Sequence, residues 1–432
     1  MENYSIIEVI VIALMGMWAS ILSNQNIAVY HDGLRPIMGE YISGRMKKKE
    51  FVGLTFAMSF GLIVGFGIPF SLTSQIILIH TLLLATDLIG IASPNKYIAG
   101  LLGALYGAGI VLGLGAVVSF FEGMPVNIMD GMGMIGDPVT TAYSCLGALA
   151  VAYQFGMKDG IITLIATLLT RVLVARFNPI TIGNASVNLS KDGLSLAVGM
   201  IMLLAFCIMK SKGANQQTSV STSNNPLFTD NAKKIRKNII PLAIMGAFIS
   251  FTASMHYTAG GPLAITLLAD GQVKDAAAVS FLGAIGYLPL VVTTGLISGV
   301  WASGGICDWL FGLGFLSSPP VAAVLGAAGM SAEVIGVKYL AKFLDKYPEI
   351  RASGDHIRTA MTQLLEISLL VGSMNAANAM APSFGFFFVG GMYLLNIIAG
   401  EKVTKMAVGP LAAILVGLLI NLFAIMGLYI PA

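Results

Sequence analysis

Charge is scarce in this sequence. Only 10% of its 432 residues are Asp, Glu, Lys or Arg, where a soluble domain carries roughly 25%. The shortage runs from end to end, which excludes a soluble enzyme with a membrane anchor attached. Cysteine is scarce as well. Cys145, Cys207 and Cys307 lie in apolar stretches, and their odd number and placement argue against a disulfide framework and against a metal site. The four histidines, His31, His80, His256 and His356, are far apart, and no His-Glu-x-x-His occurs. There is no Gly-x4-Gly-Lys-(Ser/Thr) phosphate loop, so no nucleotide-driven pump is encoded. No Gly-x-Ser-Gly or paired-aspartate motif points to a membrane protease or prenyl transferase. The chain is therefore not expected to be an enzyme, to hold a metal or to need a cofactor.

What is abundant is apolar sequence: 56% of residues are hydrophobic and the mean hydropathy is +0.85. A spanning helix needs about 20 mainly apolar residues. Such segments fall at 6–22, 51–71, 74–92, 97–121, 139–156, 160–176 and 193–211, and again at 238–258, 276–298, 300–317, 319–343, 359–380, 382–400 and 407–430. The fold expected is an all-α polytopic membrane protein with about 14 hydrophobic segments. Segments 74–92 and 300–317 are short or polar enough to re-enter rather than span. The first segment carries Glu8 and lacks a basic flank, so it reads as a transmembrane helix rather than a cleaved signal peptide.

A polar stretch at 212–237 divides the chain into repeats at 1–211 and 238–432. Gly136-Asp137-Pro138-Val139-Thr140-Thr141-Ala142 returns 218 residues later as Gly354-Asp355-His356-Ile357-Arg358-Thr359-Ala360. Pro69…Thr73-Ser74 returns as Pro289…Thr293-Thr294, and Asp87 before Ser93-Pro94 as Asp308 before Ser318-Pro319. Duplicated membrane blocks with matching polar breaks are typical of secondary transporters. Basic residues cluster at 45–49, 210–237, 338–358 and 402–405, as topology signals rather than nucleic-acid contacts. With an odd number of spans per half they place the 212–237 linker in the cytoplasm and make the halves inverted repeats. Arg176 and Lys191 fall on the wrong side of that scheme.

Four groups of residues carry candidate chemistry. A proline in a membrane helix frees backbone carbonyls that must be covered or line a watery cavity. Thr73, Ser74, Thr293 and Thr294 beside the paired prolines are thus candidates for a central binding site, the plain alternative being a satisfied kink. Ionisable residues inside apolar segments are costly and are either paired or functional. Asp87 and Asp308 lead as ion-coupling or gating groups, with Glu333 and Glu366 behind them. His31, Asp32 and Arg35, in Tyr30-His31-Asp32-Gly33-Leu34-Arg35-Pro36, can form a gate or anion clamp, or a fixed salt-bridged loop. Asn375 and Asn378 share a helix face and either bind a solute or join helices.

The stretch His31-Asp32-Gly33-Leu34-Arg35-Pro36 also resembles the YhfT family of bacterial inner-membrane proteins. So do Tyr153-Gln154-Phe155-Gly156, Thr170-Arg171-Val172, Ser331-Ala332-Glu333-Val334, Leu369-Leu370-Val371-Gly372-Ser373 and the ending Gly427-Leu428-Tyr429-Ile430-Pro431-Ala432. The resemblance runs nearly end to end. It implies a bacterial inner-membrane location and a transport role, and supplies no substrate and no functional residues. The expected function is secondary transport of a small polar or anionic solute by alternating access, in elevator style or otherwise, coupled to H+ or Na+. The rival is a permease component of a phosphotransferase system with separate soluble partners. A homodimer in the lipid bilayer is one assembly such a fold allows.

This orientation predicts that single cysteines placed at positions 1 and 432 of a cysteine-free variant label only from the periplasmic face. Labelling of both from the cytoplasm would reverse it.

Overall fold

The computed structural model describes residues 5–31, 34, 38, 40–41, 44–182, 185–187, 189–211, 226–302 and 307–429. The chain is all-α, interrupted by very short extended pieces. The first half begins with α1 (Ile6–Asn24), whose amide at Ile7 donates to the Ser5 Oγ cap, then β1 (Ala28–Val29). Helix α2 (Lys48–Leu62) runs through a π-helical turn at Ile63–Gly67 into α3 (Ile68–Ser74). After β2 (Ile77–Leu78) come α4 (Ile79–Ala92) and α5 (Lys96–Glu122). Helices α6 (Ile128–Gly133), α7 (Gly136–Tyr143), α8 (Leu146–Phe155) and α9 (Met157–Phe177) follow. The antiparallel hairpin β3 (Ile180–Ile182) and β4 (Ala185–Val187) leads to α10 (Lys191–Ser211).

The second half opens with α11 (Pro226–Lys237) and α12 (Ile239–Ser254), Asp230–Lys237 being bent by 62° from α12. The order continues with β5 (Thr258–Ala259), α13 (Pro262–Ala269), α14 (Val273–Ser298), β6 (Trp301–Ala302), α15 (Asp308–Phe315) and α16 (Pro319–Lys346). Helices α17 (Pro348–Met380), α18 (Phe384–Ile398) and α19 (Lys405–Ile425) complete it.

The two halves hold each other through their extended pieces. Strand β1 pairs in parallel with β6, Ala28 opposite Trp301, and β2 pairs in parallel with β5, Ile77 opposite Thr258. Extended backbone at membrane depth must find partners inside the protein, and here each half supplies the other's. The packing around these pieces also matches. Gly103 of α5 lies against Gly16 of α1, where an added Cβ would come within 2.4 Å of the Gly16 carbonyl oxygen. Gly326 of α16 lies against Gly246 of α12, at 2.2 Å by the same measure. Ser20 Oγ donates to Thr86 O of α4 at 3.2 Å, and Ser250 Oγ to Leu310 O of α15 at 2.8 Å. Small residues let helix backbones approach without water or side chains between them.

Not every expectation survives. Among the described residues seven helices are long and apolar enough to cross a membrane, or eight with the bent pair at 230–254. Of the 14 hydrophobic segments expected, seven or eight are thus seen as candidate spans among the described residues. Segments 74–92 and 300–317 fold as β2–α4 and β6–α15, with helices of 14 and 8 residues. At 1.5 Å per residue these reach roughly 21 and 12 Å, short of a hydrocarbon core of about 30 Å. Segment 139–156 is split into α7 and α8, and the paired Gly-Asp motifs differ in setting. The first opens the 8-residue α7, and the second lies within the 33-residue α17. The polar connector 212–237 is not all loop, because its last 12 residues form α11.

The tight crossings predict that Gly103→Ala and Gly326→Ala each lower the melting temperature of the purified protein, by an overpacking cost of ~1–3 kcal/mol. Gly113→Ala, whose Cβ would meet nothing within 4 Å, should leave it unchanged.

Candidate functional site

A cavity lies at the seam between the halves. It has about 70 Å3 of space open to water-sized molecules, and its walls are mostly apolar. Leu62 and Phe66 of α2 and its π turn, Leu84 of α4 and Leu146 of α8 form one side. Gly260, Gly261 and the start of α13, with Val279, Ser280 and Gly283 of α14, form another. Among the described residues lining it, Asp308 is the only acidic side chain and His80 the only basic one; Tyr30 and Tyr143 add phenols. The spacing that relates Ser20 to Ser250 also relates Tyr30 to Gly260, 230 residues on. The spacing of 224 that relates Thr86 to Leu310 relates Leu84 to Asp308. All four of these last residues line the cavity.

The two aspartates therefore occupy different positions. Asp87 is 0% exposed and fully engaged. Ser23 Oγ donates to its Oδ1 at 2.6 Å, and the backbone amides of Tyr30 and His31 donate to its Oδ2 at 2.6 and 2.8 Å. It ties α1, α4 and the end of β1 together and does not line the cavity. Asp308, in the first turn of α15, accepts no hydrogen bond among the described residues. Its carboxylate fits because Gly260 and Gly283 lack side chains. A Cβ on Gly260 would stand 2.6 Å from Oδ1, and one on Gly283 3.0 Å from Oδ2.

The other sequence candidates scatter. Glu333 is held by two indoles, Trp301 Nε1 donating to its Oε1 at 2.9 Å and Trp309 Nε1 to its Oε2 at 3.0 Å. Glu366 lies within electrostatic range of Lys405 and Glu401, which pair at 2.9 Å, and lines no cavity described here. Thr73 Oγ1 donates to Pro69 O at 3.0 Å, and Ser74 Oγ to Phe70 O at 2.6 Å. They satisfy the end of α3 and do not face the cavity. The backbone at Pro289, Thr293 and Thr294 is uninterrupted helix within α14, so the expected second break is not there. The side chains of Thr293 and Thr294 lie outside the described residues. His31 is brought to Asp87 by its backbone amide, whereas Asp32 and Arg35 lie outside the described residues. In the same connection the Arg45 guanidinium bonds Glu40 at 2.6 and 2.8 Å and holds its carboxyl below the usual range.

Asn375 and Asn378 line a separate, open groove of about 970 Å3 between α7, α8 and α17, with Asp137, Thr141 and Ser368. Asn378 Oδ1 also accepts the Ser383 amide at 2.8 Å, which ends α17. Arg171 is neutralised by Asp192 at 2.9 Å, the internal pairing expected of a charge in a membrane helix.

His80 stands out in the sequence as an ionisable residue inside an apolar segment, whereas Tyr30 and Tyr143 as cavity residues and the start of α13 were missed. The signal for α13 is present in Gly260-Gly261-Pro262, since proline favours the first helical position. Nothing local distinguishes Tyr30 or Tyr143 from core aromatics.

Comparison with known proteins gives a family and no function. The model of the YhfT family, described as a protein of unknown function, matches residues 8–429. The chain is 34% identical over 439 aligned positions to a protein of Escherichia coli strain K12 called uncharacterized protein YhfT, covering 99% of each. No solved structure matches. The chain belongs to the YhfT family.

The contrast between the aspartates gives a prediction. Asp87→Asn places an amide N–H among three donors or turns one oxygen away, and should destabilise the purified protein by ~1–3 kcal/mol. Asp308→Asn, with no donor among the described residues to disappoint, should melt at or above the parent temperature. Thermal unfolding of the two variants side by side checks both.

Proposed function

We propose that this member of the YhfT family is a secondary transporter of the bacterial inner membrane. It moves a small polar or anionic solute by alternating access, coupled to an ion gradient. The carrying observation is the position of Asp308, a carboxylate with no hydrogen-bond donor among the described residues, in a cavity at the seam of two matched halves. A membrane protein that needed only stability there would gain by replacing it, because an unpaired acid in an apolar setting is costly. The matched Gly-Gly crossings and the reciprocal strand pairs support reading the halves as inverted repeats. The short β2–α4 and β6–α15 units then act as paired half-membrane elements around the site. Rocking or sliding one half against the other would open the cavity to alternate sides.

The test is an uptake screen in proteoliposomes with a bacterial metabolite extract, with and without imposed proton or sodium gradients. At least one solute should accumulate above its external level under one gradient, and Asp308→Asn should abolish accumulation while leaving exchange. Equilibration indifferent to any gradient would make the protein a channel. Uptake that requires a soluble phosphocarrier would make it a phosphotransferase permease.

A further inference from the structure

Helix α13 starts inside the protein, and its first amides point to a ligand. The cap is Gly261, which has no side chain to offer. Pro262 at the first position has no N–H, and the Ile265 amide bonds Gly261 O at 3.0 Å. That leaves the amides of Leu263 and Ala264, which have no acceptor among the described residues although both residues line the cavity and are 5% and 2% exposed. A buried helix start without acceptors is anomalous, and such a start favours an anion. A second, independent observation lies across the same cavity. The Tyr30 hydroxyl is buried, lacks any hydrogen-bond partner among the described residues, and belongs to a side chain that is 0% exposed. Residues that line the cavity thus carry three donors without an acceptor among the described residues, two amides and one phenol.

Against them stands Asp308. As a carboxylate beside Gly260 it repels an anion at the start of α13; as a carboxylic acid it adds a fourth donor. We propose that the cavity is a joint site for one small oxyanion and one proton, the oxyanion held by the Leu263 and Ala264 amides and the Tyr30 hydroxyl, and the proton carried on Asp308. This deepens the transporter reading and rests on it for direction. Proton and anion enter together because the anion is admitted only when Asp308 is neutral. A bare sodium ion would need several oxygen ligands in place of its hydration shell, and the side chains of the described lining residues offer one carboxylate, two phenols and the Ser280 hydroxyl, which already donates to Ala276 O at 2.9 Å.

Other titratable groups must be separated from Asp308. Tyr30, Tyr143 and His80 share the cavity, and Cys307 precedes Asp308 directly. On the elements packed against α15, Glu333 is held by its two indoles and His256 stacks edge-on against Phe315 at 6.4 Å. Lys274 and Asp275 lie in the first turn of α14. Of the cavity groups, His80 is the one besides Asp308 whose protonation would also favour an anion as pH falls.

The experiment is ligand-induced thermal stabilisation of the purified full chain, with acetate, phosphate and sulfate at mildly acidic and mildly alkaline pH. At least one anion should stabilise the protein. Its affinity should fall about tenfold per pH unit above the titration of Asp308. Asp308→Asn should bind with no such slope, while His80→Gln keeps it. Leu263→Pro removes one amide and repeats the Pro319-Pro320 start of α16. It should bind about tenfold more weakly than Leu263→Ala, which loses the side chain and keeps the amide. Tyr30→Phe should weaken binding without loss of stability. Stabilisation by none of the anions, a pH slope that persists in Asp308→Asn, or equal binding by the two Leu263 variants would overturn the proposal. pH-linked binding without uptake in proteoliposomes would instead overturn the transporter reading and leave the site. Uptake of a neutral or cationic solute without oxyanion binding would do the reverse.

Discussion

Backbone that leaves a helix at membrane depth must still bond its amides and carbonyls, and the rest of this structure depends on how that is arranged. A lipid chain offers no donor or acceptor, so irregular backbone persists only where protein or a polar cavity covers it. The chain meets the requirement reciprocally. The extended piece after α1 bonds the piece before α15, and the piece before α4 bonds the piece after α12. Neither half can complete its own breaks. Side chains finish the accounting, as where Ser71 Oγ donates to Gly67 O at 2.7 Å and receives the Leu78 amide at 2.9 Å. The breaks meet at the seam, and the mostly apolar cavity lies there with a few polar groups, Asp308, His80, Tyr30 and Tyr143, in its wall.

The three acids at the heart of the fold show how environment decides role. Asp87 receives three donors and Glu333 receives two, so each is neutralised by geometry and stiffens the scaffold. Asp308 receives none among the described residues and lines the cavity. The insertion cost of an acid in a membrane helix is about 2.5–3.5 kcal/mol for any of them, so residue type alone ranks them equally. What separates them is which neighbours carry N–H or O–H groups.

This explains what was legible in the sequence. Membrane class followed from composition, since the described residues include seven or eight helices long and apolar enough to span. The short segments 74–92 and 300–317 stood out by length and polarity. The sequence singles out Asp308 as an acid in an apolar segment, and the fold sets it in the cavity wall, but not as the counterpart of Asp87. It was paired with Asp87 through the following Ser-Pro, whereas the bonds of Ser20 and Ser250 align Asp308 with Leu84, one helical turn away. Pro289 misled because proline frees a carbonyl in any helix, and only the neighbours decide whether the helix continues. At Pro69 the π turn absorbs the defect; in α14 the helix runs on. The Thr73 and Ser74 hydroxyls were equally ambiguous, since a hydroxyl near a freed carbonyl bonds that carbonyl as readily as a solute.

The two halves match in their tight helix crossings and differ in what they present to the cavity. Positions that face the cavity from equivalent places carry Tyr30 in one half and Gly260 in the other, Leu84 in one and Asp308 in the other. In each pair one half offers a functional group and the other a small or apolar residue. Two aspartates facing each other across so small a cavity would repel unless one were protonated, and two tyrosines would fill the space beside Asp308 that Gly260 leaves open. An alternating-access protein needs two matched halves so that its inward- and outward-facing states are of similar energy, but it needs only one site. On the transporter reading proposed above, matched halves with one-sided chemistry at the seam would meet both requirements: the close crossings are alike in the two halves, and the groups that line the cavity differ.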